Sequence, residues 1–260
     1  MKLTANIFLL CVLFIAVSNT HAQIAVKKNK FLWQYGAIVR GDSTKKNIAL
    51  VFTGDEYVEG LDTISYMLHS ADIKGSFFFT GRLYSNAKVY RSLLLLKKNG
   101  HYLGPHSDMH LLYNDWTKRD STLVTKDSLQ SDLEFNYKQM QQLGIREKKL
   151  FFIPPYEWWN STIATWCKEL DVQLINFTPQ TGTNADYTFP EMGQSYRNSE
   201  FLLKRLYALE QERGLNGAMI LIHIGTDPRR TDKFYNLLPS MIDYFKKRGY
   251  HFLRVDQLLK

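Results

Sequence analysis

Within NGHYLGPHSDMHLLY, Asn99 to Tyr113, His106 and His110 stand four residues apart directly after an apolar, strand-like run. Two imidazoles at this spacing lie on one side of a single turn and can converge on one divalent cation, because zinc and its neighbours accept neutral ring nitrogens as ligands. Taken alone, the spacing suits two surface or capped histidines as well. Its meaning depends on what gathers with it. Strand-like runs elsewhere also end in reactive groups. IALVFTGDEY ends in Asp55 and Glu56, LFFIPPYEWWN in Tyr156 and Glu157, QLINF near Asn176, and MILIHIGTD in His223 and Asp227. A core built for stability alone needs no charge at these ends, so the pattern predicts an active site.

The positioning elements follow from hydrophobic periodicity. Strand-like runs are 48–52, 75–80, 101–103, 150–153, 172–176, 219–223 and 251–255, and amphipathic helical patterns occupy 61–70, 87–98, 123–143, 162–170, 200–213 and 234–248. Strands separated by helices of this length imply crossover connections and an α/β fold with a parallel sheet, whose chemistry gathers at the carboxyl ends of the strands. Periodicity alone leaves a barrel and an open sheet as alternatives.

Composition narrows the setting. The chain opens MKLTANIFLLCVLFIAVSNTHAQ, with Lys2 ahead of an apolar run and small or polar residues up to Ala22, which reads as a secretory signal peptide over residues 1–22 and a single domain over 23–260. The apolar run is too short for a stable membrane span, so the expected product is exported, periplasmic or secreted. Of the two cysteines, Cys11 falls in that leader, and Cys167, on a helical pattern, reads as a buried residue with no disulfide partner. A net charge of +8 is dispersed rather than collected in a block and reads first as a solvated surface, with an acidic glycan or anionic envelope as the partner it would suit; nucleic acid is a poor fit for an exported protein.

GHYLGPHSDMH resembles the His-(Ser/Thr)-x-x-His metal motif of the polysaccharide deacetylases, the NodB-homology group also called carbohydrate esterase family four. ALVFTGDEY resembles that family's Thr-Phe-Asp-Asp-Gly segment, GSFFFTGRLY its second-strand segment, FFIPPYEWW its Arg-Pro-Pro-Tyr segment and ILIHIGT its closing segment, all in family order. The resemblance implies a distorted (β/α) barrel of about seven parallel strands, a divalent metal, zinc or alternatively cobalt, nickel or manganese, and removal of acetyl groups from an acetylated glycan. It assigns the metal to Asp55, His106 and His110, the general acid to His223 and the oxyanion contact to Tyr156, with Trp158 and Trp159 extending a sugar-binding surface. Asp186 and Asp227 are rival supports for the imidazole of His223.

The departures are as informative. The family's base aspartate is replaced by Gly54; when the segment is anchored without a gap on Phe52, both of its aspartates become Thr53 and Gly54 and Asp55 falls one position late; and the arginine before Pro-Pro-Tyr is replaced by Ile153. The two losses are coherent, because a buried guanidinium without its carboxylate would be left unpaired. Either another carboxylate serves as base, Glu157 first and Glu56 second, or the chain is a weak or inactive carbohydrate-binding protein on a deacetylase scaffold.

Overall fold

The computed structural model describes residues 30–260. The expected signal peptide lies outside the described residues. The chain enters through an antiparallel hairpin of β1 (Leu32–Gln34) and β2 (Ala37–Arg40), then runs through β3 (Asn47–Gly54), α1 (Leu61–Ser70), β4 (Ser76–Phe79), α2 (Gly81–Tyr84), α3 (Tyr90–Lys98), β5 (Tyr102–Pro105) and α4 (Lys126–Gln142). It continues through β6 (Phe151–Phe152), α5 (Ser161–Glu169), β7 (Gln173–Leu174), α6 (Ser199–Arg213), β8 (Met219–His223), α7 (Leu238–Lys247), β9 (His251–Phe252) and α8 (Val255–Leu258). Among the described residues, no helix is long and apolar enough to cross a membrane.

Strand β3 is the centre of a parallel sheet ordered β5-β4-β3-β8, with β9 also paired to β3. Side chains alternate across each strand. Ala49 and Val51 of β3 face one buried cluster with Phe78, Tyr102, Phe151, Ile153, Ile175, Met219 and Leu221. Ile48, Leu50 and Phe52 face the opposite way, onto a cluster completed by α1, α3, α6 and α7. That the first cluster draws residues from the main sheet and from the separate β6-β7 pair shows that the strands surround a common interior.

The ring is closed irregularly. Tyr102 of β5 donates its hydroxyl proton to the Lys149 carbonyl at 3.1 Å and accepts the Phe151 N–H at 2.9 Å, replacing a ladder to β6. On the other side, the Asn176 N–H donates to the Ile38 carbonyl at 3.0 Å, and Arg40 of β2 bridges to Ala218 at the start of β8. The architecture is the expected α/β barrel, distorted where β6 and β7 shrink to two residues each.

The expected helix over 61–70 matches α1, whereas the patterns over 87–98 and 234–248 each begin with a 3₁₀ turn before the α-helix. The hairpin was not legible. Its two-residue loop places Tyr35 at φ 44° and Gly36 at φ 79°, the left-handed pair that matches strand twist, but Tyr-Gly is a weak signal beside Asn-Gly.

Beneath the sheet, the buried His101 accepts the Gly75 N–H on Nδ1 at 3.0 Å. Burial, with nearby Lys74 and Arg254, pulls its pKa down to about 4. The unfolded chain therefore binds a proton near pH 6.5 that the fold refuses until about pH 4. Stability is expected to fall as pH is lowered through that window, and His101→Gln to lessen the slope. Thermal melts with equal slopes in both proteins would contradict this.

Candidate functional site

Strand parity decides which side chains reach the barrel mouth. Continuing the inward series puts Thr53 after Val51, His106 after Tyr102 and Gly104, and His223 after Met219 and Leu221, and Thr53 pairs with His223 in register. Ile153 continues inward from Phe151. Gly54 faces the outer layer, where a Cβ would come within 2.6 Å of Ile224. A carboxylate at position 54 would collide there, and Asp55, just beyond the strand, reaches the cavity instead. The cavity is about 500 Å³ and is lined by Thr53, Asp55, Glu56, His106, His110, Trp116, Tyr156, Glu157, Tyr187 and His223, among others.

The histidine loop is held from below by α4. Thr125 caps that helix, and its buried stripe carries Asp132 and Asn136 among leucines and Met140. Asp132 accepts the N–H groups of Asp108 and Met109 at 2.9 and 3.2 Å, and Asn136 donates to the carbonyls of Ser107 and Phe79. Ser107 and His110 are both left-handed, at φ 69° and 56°, and the Ser107 hydroxyl accepts the His110 N–H. His106 Nδ1 lies 2.7 Å from the Ile153 carbonyl, so it carries the proton and leaves Nε2 as the lone-pair nitrogen. The two imidazole centroids are 5.0 Å apart. Burial, reinforced by the neighbouring His110, lowers His106 to about 3, and burial lowers His110 to about 4, so both rings are neutral at neutral pH.

Asp55 completes this wall, with Oδ2 4.0 Å from His110 Nδ1. Burial opposes its ionisation, but Arg82, His110 and Thr80 together hold its carboxyl below the ordinary range. Thr80 donates at 2.8 Å, and Arg82 grips both carboxylate oxygens through Nε and Nη2. Two neutral imidazoles and a carboxylate are a donor set that suits a zinc-like cation. Among the described residues, however, no three His, Cys, Asp or Glu side chains are already gathered as a metal-holding group. His106 and His110 both line the cavity as neutral rings, and to join them on a cation Asp55 would have to give up Arg82. Arg82 and Thr80 lie in the GSFFFTGRLY segment, but nothing in the sequence pointed either of them at Asp55; Thr80 also caps α2.

Opposite this wall stands a second constellation. Pro154 and Pro155 turn the chain through Tyr156 at φ 59° and Glu157 at φ 52°, two successive left-handed residues that are not glycine. Asn176 pins this turn by donating to the Glu157 carbonyl at 2.7 Å. The turn carries Glu157 inward, its side chain 9% exposed, to 4.0 Å from His223 Nε2. Thr53 Oγ1, buried below with no hydrogen bond of normal geometry, is near enough to favour the Glu157 anion. Burial nevertheless raises the Glu157 pKa, and the charge of Asp186 adds to this. Asp186, buried in a 3₁₀ turn, meets His223 Nδ1 at 2.6 Å and accepts its backbone N–H at 3.0 Å. Burial works against the imidazolium, but Asp186 more than offsets it and holds His223 up to about 9.

Other expectations are corrected. Asp227 does not support His223, because it pairs with Arg229 at 2.6 and 2.9 Å. Trp159 is 5% exposed in the core and donates to the Tyr35 carbonyl, so it lies below the surface expected of it, whereas Trp158, which donates to the Asp115 carbonyl, sits outside the cavity but beside Trp116. Trp116 is the tryptophan that lines the cavity, and its ring lies 5.4 Å from that of Tyr156. Tyr156 in turn packs on His110 at 4.4 Å, and Glu56 lines the cavity rim.

The model of the polysaccharide deacetylase family matches residues 40–175. The chain belongs to that family. The Bacillus subtilis peptidoglycan-N-acetylmuramic acid deacetylase PdaA is 22% identical over 233 residues, which cover 89% of this chain and 78% of that protein. The structure of PdaA, a family 4 carbohydrate esterase, superposes with TM-score 0.67 at 20% identity, covering 86% of this chain and 85% of that one. A family 4 pseudoenzyme from Bacillus anthracis superposes equally well, with TM-score 0.67 and 19% identity over 88% of this chain and 70% of that one. An uncharacterized Geobacillus stearothermophilus protein is 29% identical over 128 residues, 49% of this chain and 44% of its own length. His223 and Asp186 lie beyond the segment that the family model matches.

If Arg82 competes with a cation for Asp55, Arg82→Ala should tighten zinc binding several-fold, up to about tenfold for a partly exposed bidentate pair. Calorimetric titration of wild type and variant with zinc measures this. Unchanged or weaker binding would show that Asp55 is not a ligand in competition.

Proposed function

We propose that this deacetylase-family chain hydrolyses acetyl groups on a cell-envelope glycan of the peptidoglycan kind, with Glu157 as general base and His223 as general acid. The observation that carries the reading is the buried Glu157 carboxylate facing His223 at 4.0 Å across the cavity from the two neutral histidines. The peptidoglycan activity named for the Bacillus relative and the +8 charge both support an anionic envelope polymer as substrate. Export through a signal peptide over residues 1–22 would place the protein with that polymer.

His106, His110 and Asp55 would hold a divalent ion, zinc by donor type, which when bound supplies polarisation of the acetyl carbonyl and acidifies an attacking water. Glu157 accepts the proton that water loses as its oxygen bonds to the acetyl carbon. The Tyr156 backbone at the cavity edge contributes to holding the tetrahedral oxyanion. His223, kept as imidazolium by Asp186, gives its proton to the departing sugar nitrogen or oxygen as the carbon–heteroatom bond breaks. Acetate and the deacetylated sugar are released. A second reading, glycan binding without turnover, is favoured by one observation, the Arg82 grip on Asp55.

Acetate release from purified peptidoglycan should fall about 10²- to 10⁴-fold in Glu157→Gln while metal content is unchanged. Retained activity would move the base to Glu56, and wild type that holds zinc yet releases no acetate would favour the binding reading. The pH profile should be a bell: it rises as Glu157 ionises, above the usual carboxylate range, and falls above about pH 9 as His223 loses its proton. A rate still climbing beyond pH 10 would contradict the acid role of His223.

A further inference from the structure

We infer that an aromatic wall running from the cavity mouth to the β1–β2 turn is an extended glycan-binding track, which holds sugar rings flanking the one in the cavity. The inference rests on the glycan reading of the site and deepens it, by assigning the flanking rings to one surface of this chain, the loop before α4 and the β1–β2 turn. The wall starts inside the cavity at Tyr156 and Trp116, which are 44% and 53% exposed. Trp116 continues to Trp158 at 5.7 Å between centroids. Arg119 then lies over the Trp158 ring at 3.5 Å and over the Tyr35 ring at 4.3 Å, joining the loop before α4 to the hairpin turn. Tyr35 is 49% exposed, and the adjoining hairpin also presents Leu32 and Trp33.

The wall is built rather than incidental. Trp158 is fixed by its bond to the Asp115 carbonyl, and Arg119 by donation of Nη1 to the Trp159 carbonyl at 2.7 Å, with the Arg119 carbonyl in turn accepting from Asn160. The left-handed Tyr35–Gly36 loop holds the Tyr35 ring outward at the far end. Among the described residues, the other N–H groups of the Arg119 guanidinium have no protein acceptor. Arg119 covers one face of each of its two rings, so the two halves of sugar recognition lie side by side: the exposed rings of Trp116 and Tyr156 offer apolar faces for the C–H face of a pyranose, and the guanidinium edge next to them offers directed donors for hydroxyl, carbonyl or carboxylate oxygens. A purely apolar protein partner would leave those donors unmet. Continuity with the cavity selects the occupant, since a glycan entering past Trp116 must lie along whatever surface adjoins it.

The test uses N-acetylglucosamine dimer and hexamer as probes, titrated by calorimetry into the full-length mature protein. Wild type should bind the hexamer about tenfold tighter than the dimer. Tyr35→Asn, which tolerates the left-handed turn, and Arg119→Gln should each lose about three- to tenfold on the hexamer and nothing on the dimer. Equal affinity for both probes in wild type, or variants that keep the hexamer preference, would overturn the track. If wild type also still released acetate, that failure would leave the deacetylase reading standing. Binding of neither probe together with absence of acetate release would remove both. A concentration-dependent dimer that Tyr35→Asn dissolves would also overturn it, giving the face to a second copy of the chain.

Discussion

The cavity depends on one forced turn. Two prolines and two left-handed residues lift the chain off β6 and drive the Glu157 carboxylate into the space above Thr53 and Ile153. Non-glycine residues in this region cost on the order of 1–3 kcal/mol each, and a buried carboxylate with a raised pKa adds to that cost. Such strain persists where surrounding structure over-determines it, here through the Asn176 bond to the Glu157 carbonyl and the inward packing of Phe151 and Ile153. A glycine at 157 would relieve the strain, and the proposed role as base gives the buried carboxylate a use that glycine could not supply.

The same turn accounts for the two departures from the family pattern as one change. Thr53 holds the inward position where strand alternation would deliver a carboxylate, and Ile153 holds the inward position where an arginine would face it. Both are uncharged in this chain, and the Glu157 carboxylate reaches the space beside them from the neighbouring loop. His223 meets the buried Asp186 at 2.6 Å, the partner that the proposed acid role requires. On the opposite wall, Arg82 satisfies Asp55 in the way a bound cation would, keeping the charge balanced.

Much of this was legible in the sequence because strand ends are short-range features. His106, His110, Asp55, Glu157 and His223 were read from apolar runs ending in chemistry, and all of them line one cavity. What escaped depends on long-range contacts. Asp186 is the nearest match in kind to a support for His223, but it reaches that ring from 37 residues away, so local pattern left Asp227, which a neighbouring arginine claims, as its rival. Trp116 and the Asp132–Asn136 brace come from elements with no motif of their own, and Arg82, inside a family-like segment, gave no sign of its grip on Asp55. The barrel itself was expected, but its uneven closure through Tyr102 and the β1–β2 hairpin was not, since side chains substitute there for backbone ladders.

The most direct test of the central claim moves the carboxylate. Glu157→Gly should leave a folded protein that no longer releases acetate, and adding Thr53→Asp to that variant should restore release, because a carboxylate on the inward position of β3 reaches the same space from below. Acetate release unimpaired in Glu157→Gly, or a folded, metal-loaded double variant that stays inactive, would contradict the claim that Glu157 stands in for a carboxylate lost from the strand.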